Sequence, residues 1–115
     1  GLGDVYKRQV IDECKTVMMR NFDLMVAAAK ASEQLEINER IKMRFDASLV
    51  ARKCTDAINN LFLSCGAQGI FRDHPLNRAW LDINAGRTHV ANNPFKFGRS
   101  FGGVMMGAEN QDFFL

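Results

Sequence analysis

Between Val10 and Cys65 apolar side chains return every three or four residues, and nowhere does the chain alternate apolar and polar positions as a half-buried strand does. A repeat of three and four is one face of an α-helix, whereas a strand repeats every two residues. That periodicity confines the chain to an all-α fold. Ile11, Cys14, Met18, Phe22, Met25 and Ala29 form the stripe of a first helix running from Val10 to about Ser32. "SEQLEIN" breaks the period, and Asn38 with Glu39 after it predicts the N-cap and first turn of a second helix that runs to about Cys65. Its stripe is Ile41, Phe45, Leu49, Cys54, Ile58, Leu61 and Cys65, with Arg40, Lys42, Arg44, Arg52 and Lys53 expected on a solvated face.

Gly66 stands where a helix end calls for a left-handed residue, and "GAQG" reads as a loop. A third helix opens at "DHP", with Pro75 at the first helical position, and is expected to reach Asn92 or Asn93, because Pro94 disfavours helical geometry just before itself. Phe97, Phe101, Val104 and Met105 keep helical spacing among glycines, which predicts a short, closely packed last helix and a tail. The expected architecture is an antiparallel helix bundle. Its amphipathic faces imply at least one absent partner helix, so the chain should expose apolar surface.

Charge and cysteine usage exclude several classes of function. A formal net charge of +2 spread over 115 residues, with no basic run interleaved with aromatics, argues against a nucleic-acid surface. No segment has the length and apolarity of a membrane span, and the cytoplasm is the default location. Cys14, Cys54 and Cys65 are odd in number and lack metal-type spacing, which implies buried free thiols and neither a disulfide frame nor a metal centre.

"GLGDVYKRQ" has two of the glycines of a phosphate loop, but no apolar strand precedes it. The same nine residues resemble the translation of a transposase adaptor used in shotgun library preparation. On that reading Gly1 to Gln9 are not native, and the native domain is residues 10–115. Removing Asp4, Lys7 and Arg8 takes the formal charge from +2 to +1.

The stretch "RAWLDINAGRTHVANNP" concentrates the polar chemistry. At about 100° per residue, Arg78, Asp82, Ala85 and His89 would fall within roughly 60° of one helix face, apart from Leu76, Trp80, Ile83 and Val90. Ala85 and Gly86 would leave open space beside the imidazole. Structural readings stand beside the functional one. Arg78 and Asp82, four apart, make a surface ion pair. His89 near a helix C-terminus can compensate the dipole without chemistry. His74 reads as a capping residue beside Pro75, and "GRSFGG" as tight packing without the lysine of a phosphate loop.

Taken together, "HPLNRAWLDINAGRTHVANNP" resembles the pattern NPLxRxxRDxHAGRxHxANxP of the acyl-CoA dehydrogenase superfamily's type-2 C-terminal domain. The likeness is closest to flavin-dependent two-component monooxygenases that hydroxylate aromatic rings, and it covers Val10 to Leu115. The resemblance implies part of a C-terminal four-helix domain, with an N-terminal helical domain and a middle β-domain upstream. It implies a homo-oligomer built as a dimer of dimers. It also implies a reduced flavin cofactor, FMN or FAD, delivered by a partner flavin reductase, with O2 and a small aromatic compound as substrates. Residue by residue, His89 matches the histidine that reaches the flavin's reactive edge and the substrate hydroxyl. Gly66, Ala67 and Gln68 match the paired-glycine loop that approaches the flavin, often from a neighbouring subunit. Leu81 stands in place of the pattern's arginine, Asn84 in place of its first histidine and Ala67 in place of the second glycine.

Many acyl-CoA dehydrogenases of the superfamily carry their general base, a glutamate, one place beyond the position of His89. That place is Val90 here, and no Asp or Glu occurs between Ile83 and Ala108. Proton abstraction needs a carboxylate within reach. The expected activity is therefore ring hydroxylation, with acyl-CoA oxidation by a base on an earlier helix, or a non-catalytic oligomerisation bundle, as the alternatives. The chain by itself is expected to be inactive.

Overall fold

A computed structural model describes the backbone of residues 2–112 and the side chains of residues 5–67 and 70–112. Among the described residues there are four α-helices and no strand, as the periodicity requires. They are α1 (Leu2–Lys30), α2 (Ile37–Cys65), α3 (Pro75–Gly86) and α4 (Pro94–Met105). Each of the first two is 29 residues long, about 43 Å at 1.5 Å per residue, and together they set the 50 Å long axis of the molecule. α1, α3 and α4 all pack on α2 and run antiparallel to it, which makes α2 the shared core helix.

The connection from α1 to α2 is a Schellman turn without glycine. The Glu33 N–H donates to Ala28 O and the Ser32 N–H to Ala29 O, with Ser32 itself at φ 54°. α2 begins one residue before Asn38, and its N-cap is Glu36, whose side chain makes no capping hydrogen bond. The predicted Asn38 cap is therefore corrected: with Ile37 already helical, Asn38 lies inside the first turn. α1 also begins earlier than Val10, since nothing in residues 4–9 breaks a helix and no cap residue sits at Val10.

The buried residues of α2 are Ile41, Met43, Ser48 and Thr55. Ile41, Ser48 and Thr55 recur every seven positions, so they form one line down the helix, and the two hydroxyls were no part of the predicted stripe. They are tolerated there because each bonds its own helix: Ser48 Oγ donates to Phe45 O (2.6 Å) and Thr55 Oγ1 to Ala51 O (2.7 Å). Small side chains on this line let helices approach α2 from both sides. Against α1, Cys14 and Asn21 are buried, while the predicted core residues Ile11, Phe22 and Met25 remain 43 to 47% exposed. Asn21 Nδ2 donates to Asp46 Oδ2 (3.2 Å), the same oxygen that takes Lys42 Nζ (2.8 Å) and Arg20 Nη2 (3.2 Å). One carboxylate thus ties the two long helices in register.

α3 and α4 lie end to end along α2. Trp80 of α3 stacks on Phe62 with ring centroids 4.8 Å apart, near the C-terminal end of α2. α4 covers the N-terminal half, where Phe97 is 1% exposed and Phe101 stacks on Phe45 at 5.9 Å. Arg44 is not on a solvated face: its guanidinium carbon lies 4.6 Å from the Phe97 ring centroid, and its Nε is 3.0 Å from Asp112 Oδ2 in the tail. The close packing expected of "GRSFGG" is real at Gly98, where a Cβ would stand 2.9 Å from Phe45 Cε2. That ring is also stacked on Phe101, so moving it aside would disturb a second contact. Gly98→Ala is expected to destabilise the chain by about 1 kcal/mol, overpacking of 1–3 kcal/mol outweighing the helix propensity gained. At Gly102 a Cβ would meet nothing within 4 Å. Gly102→Ala should therefore stabilise by about 0.5–1 kcal/mol. Urea unfolding of the two variants side by side checks both signs.

Apolar surface is exposed as expected, on α1 at Met19 and Val26 and elsewhere at Leu63, Ile70, Phe71 and Met106. Among the described residues no helix is long and apolar enough to cross a membrane.

Candidate functional site

The polar stretch that the sequence places on one helix is split by the structure into a helix, a turn and a second cap. α3 stops at Gly86, six or seven residues short of the predicted end, because side chains take its last carbonyls. Thr88 Oγ1 donates to Ala85 O (2.7 Å) and Asn92 Nδ2 to Gly86 O (2.7 Å). The backbone tightens at the same point, with the Thr88 N–H donating to Ala85 O and the His89 N–H to Gly86 O. Residues Val90–Asn92 then form a single 3-10 turn, and Asn93 caps α4 by accepting from the N–H groups of Phe95 and Lys96. His89 is thus not on the strip of Arg78 and Asp82, nor at a helix C-terminus.

His89 is the N-cap of the 3-10 turn, and its Nδ1 accepts the Ala91 N–H at 3.1 Å. With Nδ1 used as acceptor, the neutral imidazole carries its proton on Nε2, the nitrogen left to act. His74 does the same at the start of α3, where Nδ1 accepts the Leu76 N–H at 3.1 Å, as its predicted capping role requires. Surroundings separate the two histidines. His89 lies with Arg52, Arg87, Asn92, Asn93 and Phe95 in an open recess of about 460 Å³, where α2 passes the junction of α3 and α4. Ala85 and Gly86 do not line it. Arg52 lies over the Phe95 ring, 5.6 Å from its centroid, and reaches Asp56 at 3.4 Å. No carboxylate lines the recess, and Val90, beside His89, is 56% exposed. A basic, donor-rich recess of this kind suits an electron-rich oxygen.

The remaining predicted positions fall elsewhere. Gly66 ends α2 at φ 64°, ψ −152°, a conformation open to glycine alone, and a Cβ there would meet nothing within 4 Å. Ala67 is exposed in the 3-10 turn Gly66–Ile70 that follows, and the Gln68 side chain lies outside the described residues. From Arg52 to Cys65 is 13 residues of helix, so the Gly66 turn and the His89 recess are about 20 Å apart in one chain. The structure does not bring them together. Arg78 and Asp82 form the exposed ion pair of the structural reading, at 3.0 Å. Asn84 was missed as a positioning residue: its Nδ2 donates to Asn59 Oδ1 (3.2 Å) and to Trp80 O (2.9 Å), tying α3 to α2 next to the recess. Arg52 was missed as a site residue, because nothing local distinguishes it from the other cations of α2. Among the described residues no group of His, Cys, Asp or Glu could hold a metal ion.

Comparison with known proteins bears on the same region. The family model of the acyl-CoA dehydrogenase C-terminal domain matches residues 7–94. The oxygenase subunit HsaA of a flavin-dependent monooxygenase from Rhodococcus jostii (strain RHA1) is 36% identical over 64 residues, which is 56% of this chain and 17% of that protein. Its counterpart from Mycobacterium tuberculosis (strain ATCC 25618 / H37Rv) is 29% identical over 84 residues, 73% of this chain and 21% of that protein. The chain therefore spans about a fifth of the length of these curated relatives. The crystal structure of 3-HSA hydroxylase from Rhodococcus sp. RHA1 superposes with a TM-score of 0.92 at 26% identity, over 99% of this chain and 29% of that one. The HsaA monooxygenase from M. tuberculosis superposes with a TM-score of 0.89 at 24% identity, over 96% of this chain and 29% of that one, a likeness of fold.

Proposed function

This chain belongs to the acyl-CoA dehydrogenase family through its C-terminal domain, and from that membership we propose that it is part of the oxygenase component of a two-component flavin-dependent monooxygenase hydroxylating a phenolic ring. The observation that carries the reading is His89. Its Nδ1 is held by the Ala91 N–H, leaving the Nε2 proton to point at a ligand oxygen, while the next residue is Val90 where a dehydrogenase of the family would hold its base. The relatives named as flavin-dependent monooxygenases support the same choice.

The donor set of the recess fits a reduced flavin and a phenol. The residues that would contact them are His89 and the Gly66–Ala67–Gln68 turn, with Arg52 and Arg87 holding the local potential positive. Reduced flavin, FMN or FAD, supplies the electrons that activate O2. The protein's own part is to orient and to exclude water. His89 Nε2 donates to the phenolic oxygen and fixes the ring's position, the capping bond preventing the imidazole from turning over. Among its lining residues this chain offers the recess no carboxylate for the α-proton chemistry of dehydrogenases. Because the Gly66 turn is about 20 Å from His89 along α2, the reading has the turn of one copy serving the site of a neighbour, in a homo-oligomer.

The test uses the full-length protein with a flavin reductase, NADH and a panel of phenols under labelled oxygen gas. Labelled oxygen in the product, with no acyl-CoA-dependent reduction of an electron-accepting dye, is the expected result. Dye reduction by an acyl-CoA with no ring hydroxylation sinks the proposal.

A further inference from the structure

Cys14 and Cys54 were read from the sequence as separate free thiols, yet the fold sets them against each other. The antiparallel register of α1 and α2 is pinned where Asn21 Nδ2 meets Asp46 Oδ2 at 3.2 Å. Seven residues back along α1 is Cys14, and eight residues on along α2 is Cys54. Seven residues of α1 return to the same face and eight of α2 to the edge of the same helical stripe, so the two cysteines lie across the interface one step beyond the Asn21–Asp46 tie. Burial agrees: Cys14 is 6% exposed and Cys54 is half-buried beside it. Burial, followed by the neighbouring Cys14, pushes the Cys54 thiol above its ordinary range. Cys65 sits eleven residues further along α2, about 16 Å away, and takes no part.

We propose that Cys14 and Cys54 are a paired dithiol that a peroxide closes to a disulfide, joining α1 to α2. One thiol, as its thiolate, attacks a peroxide oxygen; the O–O bond breaks, water leaves, and a sulfenic acid remains. The second sulfur displaces the sulfenic oxygen, which departs as a second water, and the S–S bond forms. The balance is two thiols and one hydrogen peroxide giving one disulfide and two waters. The facing positions of the two cysteines make the second step intramolecular, so the first oxidation is trapped as a disulfide before a further oxygen can add. Sealing α1 to α2 in this way leaves the His89 recess free, since neither cysteine lines it.

The experiment incubates the folded chain with hydrogen peroxide, then denatures it and counts thiols, with peptide mapping and a non-reducing gel alongside. The expected thiol count falls from three to one, with the loss of two hydrogen atoms in mass, a Cys14–Cys54 linked peptide and a monomeric band. Cys65→Ser should give the same linked peptide, its count falling to zero. In urea, where the fold no longer selects partners, the three possible pairings should all appear. Three surviving thiols in the folded chain, sulfinic acid in place of a disulfide, or a dominant bridge to Cys65 would overturn the proposal. Because nothing in this test needs flavin or turnover, its result is independent of the monooxygenase reading.

Discussion

Replacing His89 by asparagine in the full-length protein is expected to lower hydroxylated product per NADH by about tenfold to a hundredfold, while NADH oxidation continues. Asparagine is as good an N-cap as the 3-10 turn can have, so the Ala91 N–H keeps an acceptor and the junction of α3 and α4 keeps its shape. The Nε2 donor is lost. A hydrogen bond to a charged oxygen is worth about 1.5–3 kcal/mol, which converts to that range in rate. His89→Ala removes cap and donor together, so comparison of the two variants separates the chemical role from the structural one. Coupling as tight as wild type in His89→Asn, with a normal circular dichroism spectrum, counts against the role assigned to the imidazole.

The largest stability effect is expected at the pair formed by Arg44 and Asp112. Arg44 lies between the face of Phe97 and the Asp112 carboxylate, and the two side chains differ in access to water: 31% exposed for Arg44, 6% for Asp112. Removing the arginine takes away the cation 3.0 Å from a buried carboxylate and uncovers the Phe97 ring. Arg44→Met should therefore cost about 3 kcal/mol. Asp112→Asn removes the buried negative charge itself, and the guanidinium can lean toward solvent on its aliphatic stem, so about 1 kcal/mol is expected. Urea denaturation reads both, and equal losses in the two variants would refute the asymmetry.

Elements with strong periodicity were legible in the sequence; the places where side chains intervene in the backbone were not. The four helices, Pro75 at its first-turn position, the glycine at the end of α2 and the Arg78–Asp82 pair follow from local rules and are found as expected. The end of α3 was misjudged because Pro94 is the visible stop signal, whereas Thr88 and Asn92, two unremarkable polar residues, unwind the helix by capping carbonyls eight and nine residues before it. Ser32 was invisible as a turn residue because it holds a left-handed conformation usually given to glycine. The buried line Ile41, Ser48, Thr55 was missed because hydroxyls read as polar until their own helix satisfies them. His89 does line an open recess, but from a different element and among different neighbours than the sequence suggests. Arg52 comes from α2, and only the antiparallel packing of α4 brings it to Phe95.

That α1, α3 and α4 each pack on α2, with no ring of helices closed around a common centre, has a consequence for how the molecule opens. Opening α1 breaks its interface with α2 and leaves the α3 and α4 interfaces standing, so a native-state hydrogen-exchange experiment should resolve two protection levels. The amides of α1 should exchange through a local opening of lower free energy, and those of α2 near Ser48 and Thr55 through global unfolding.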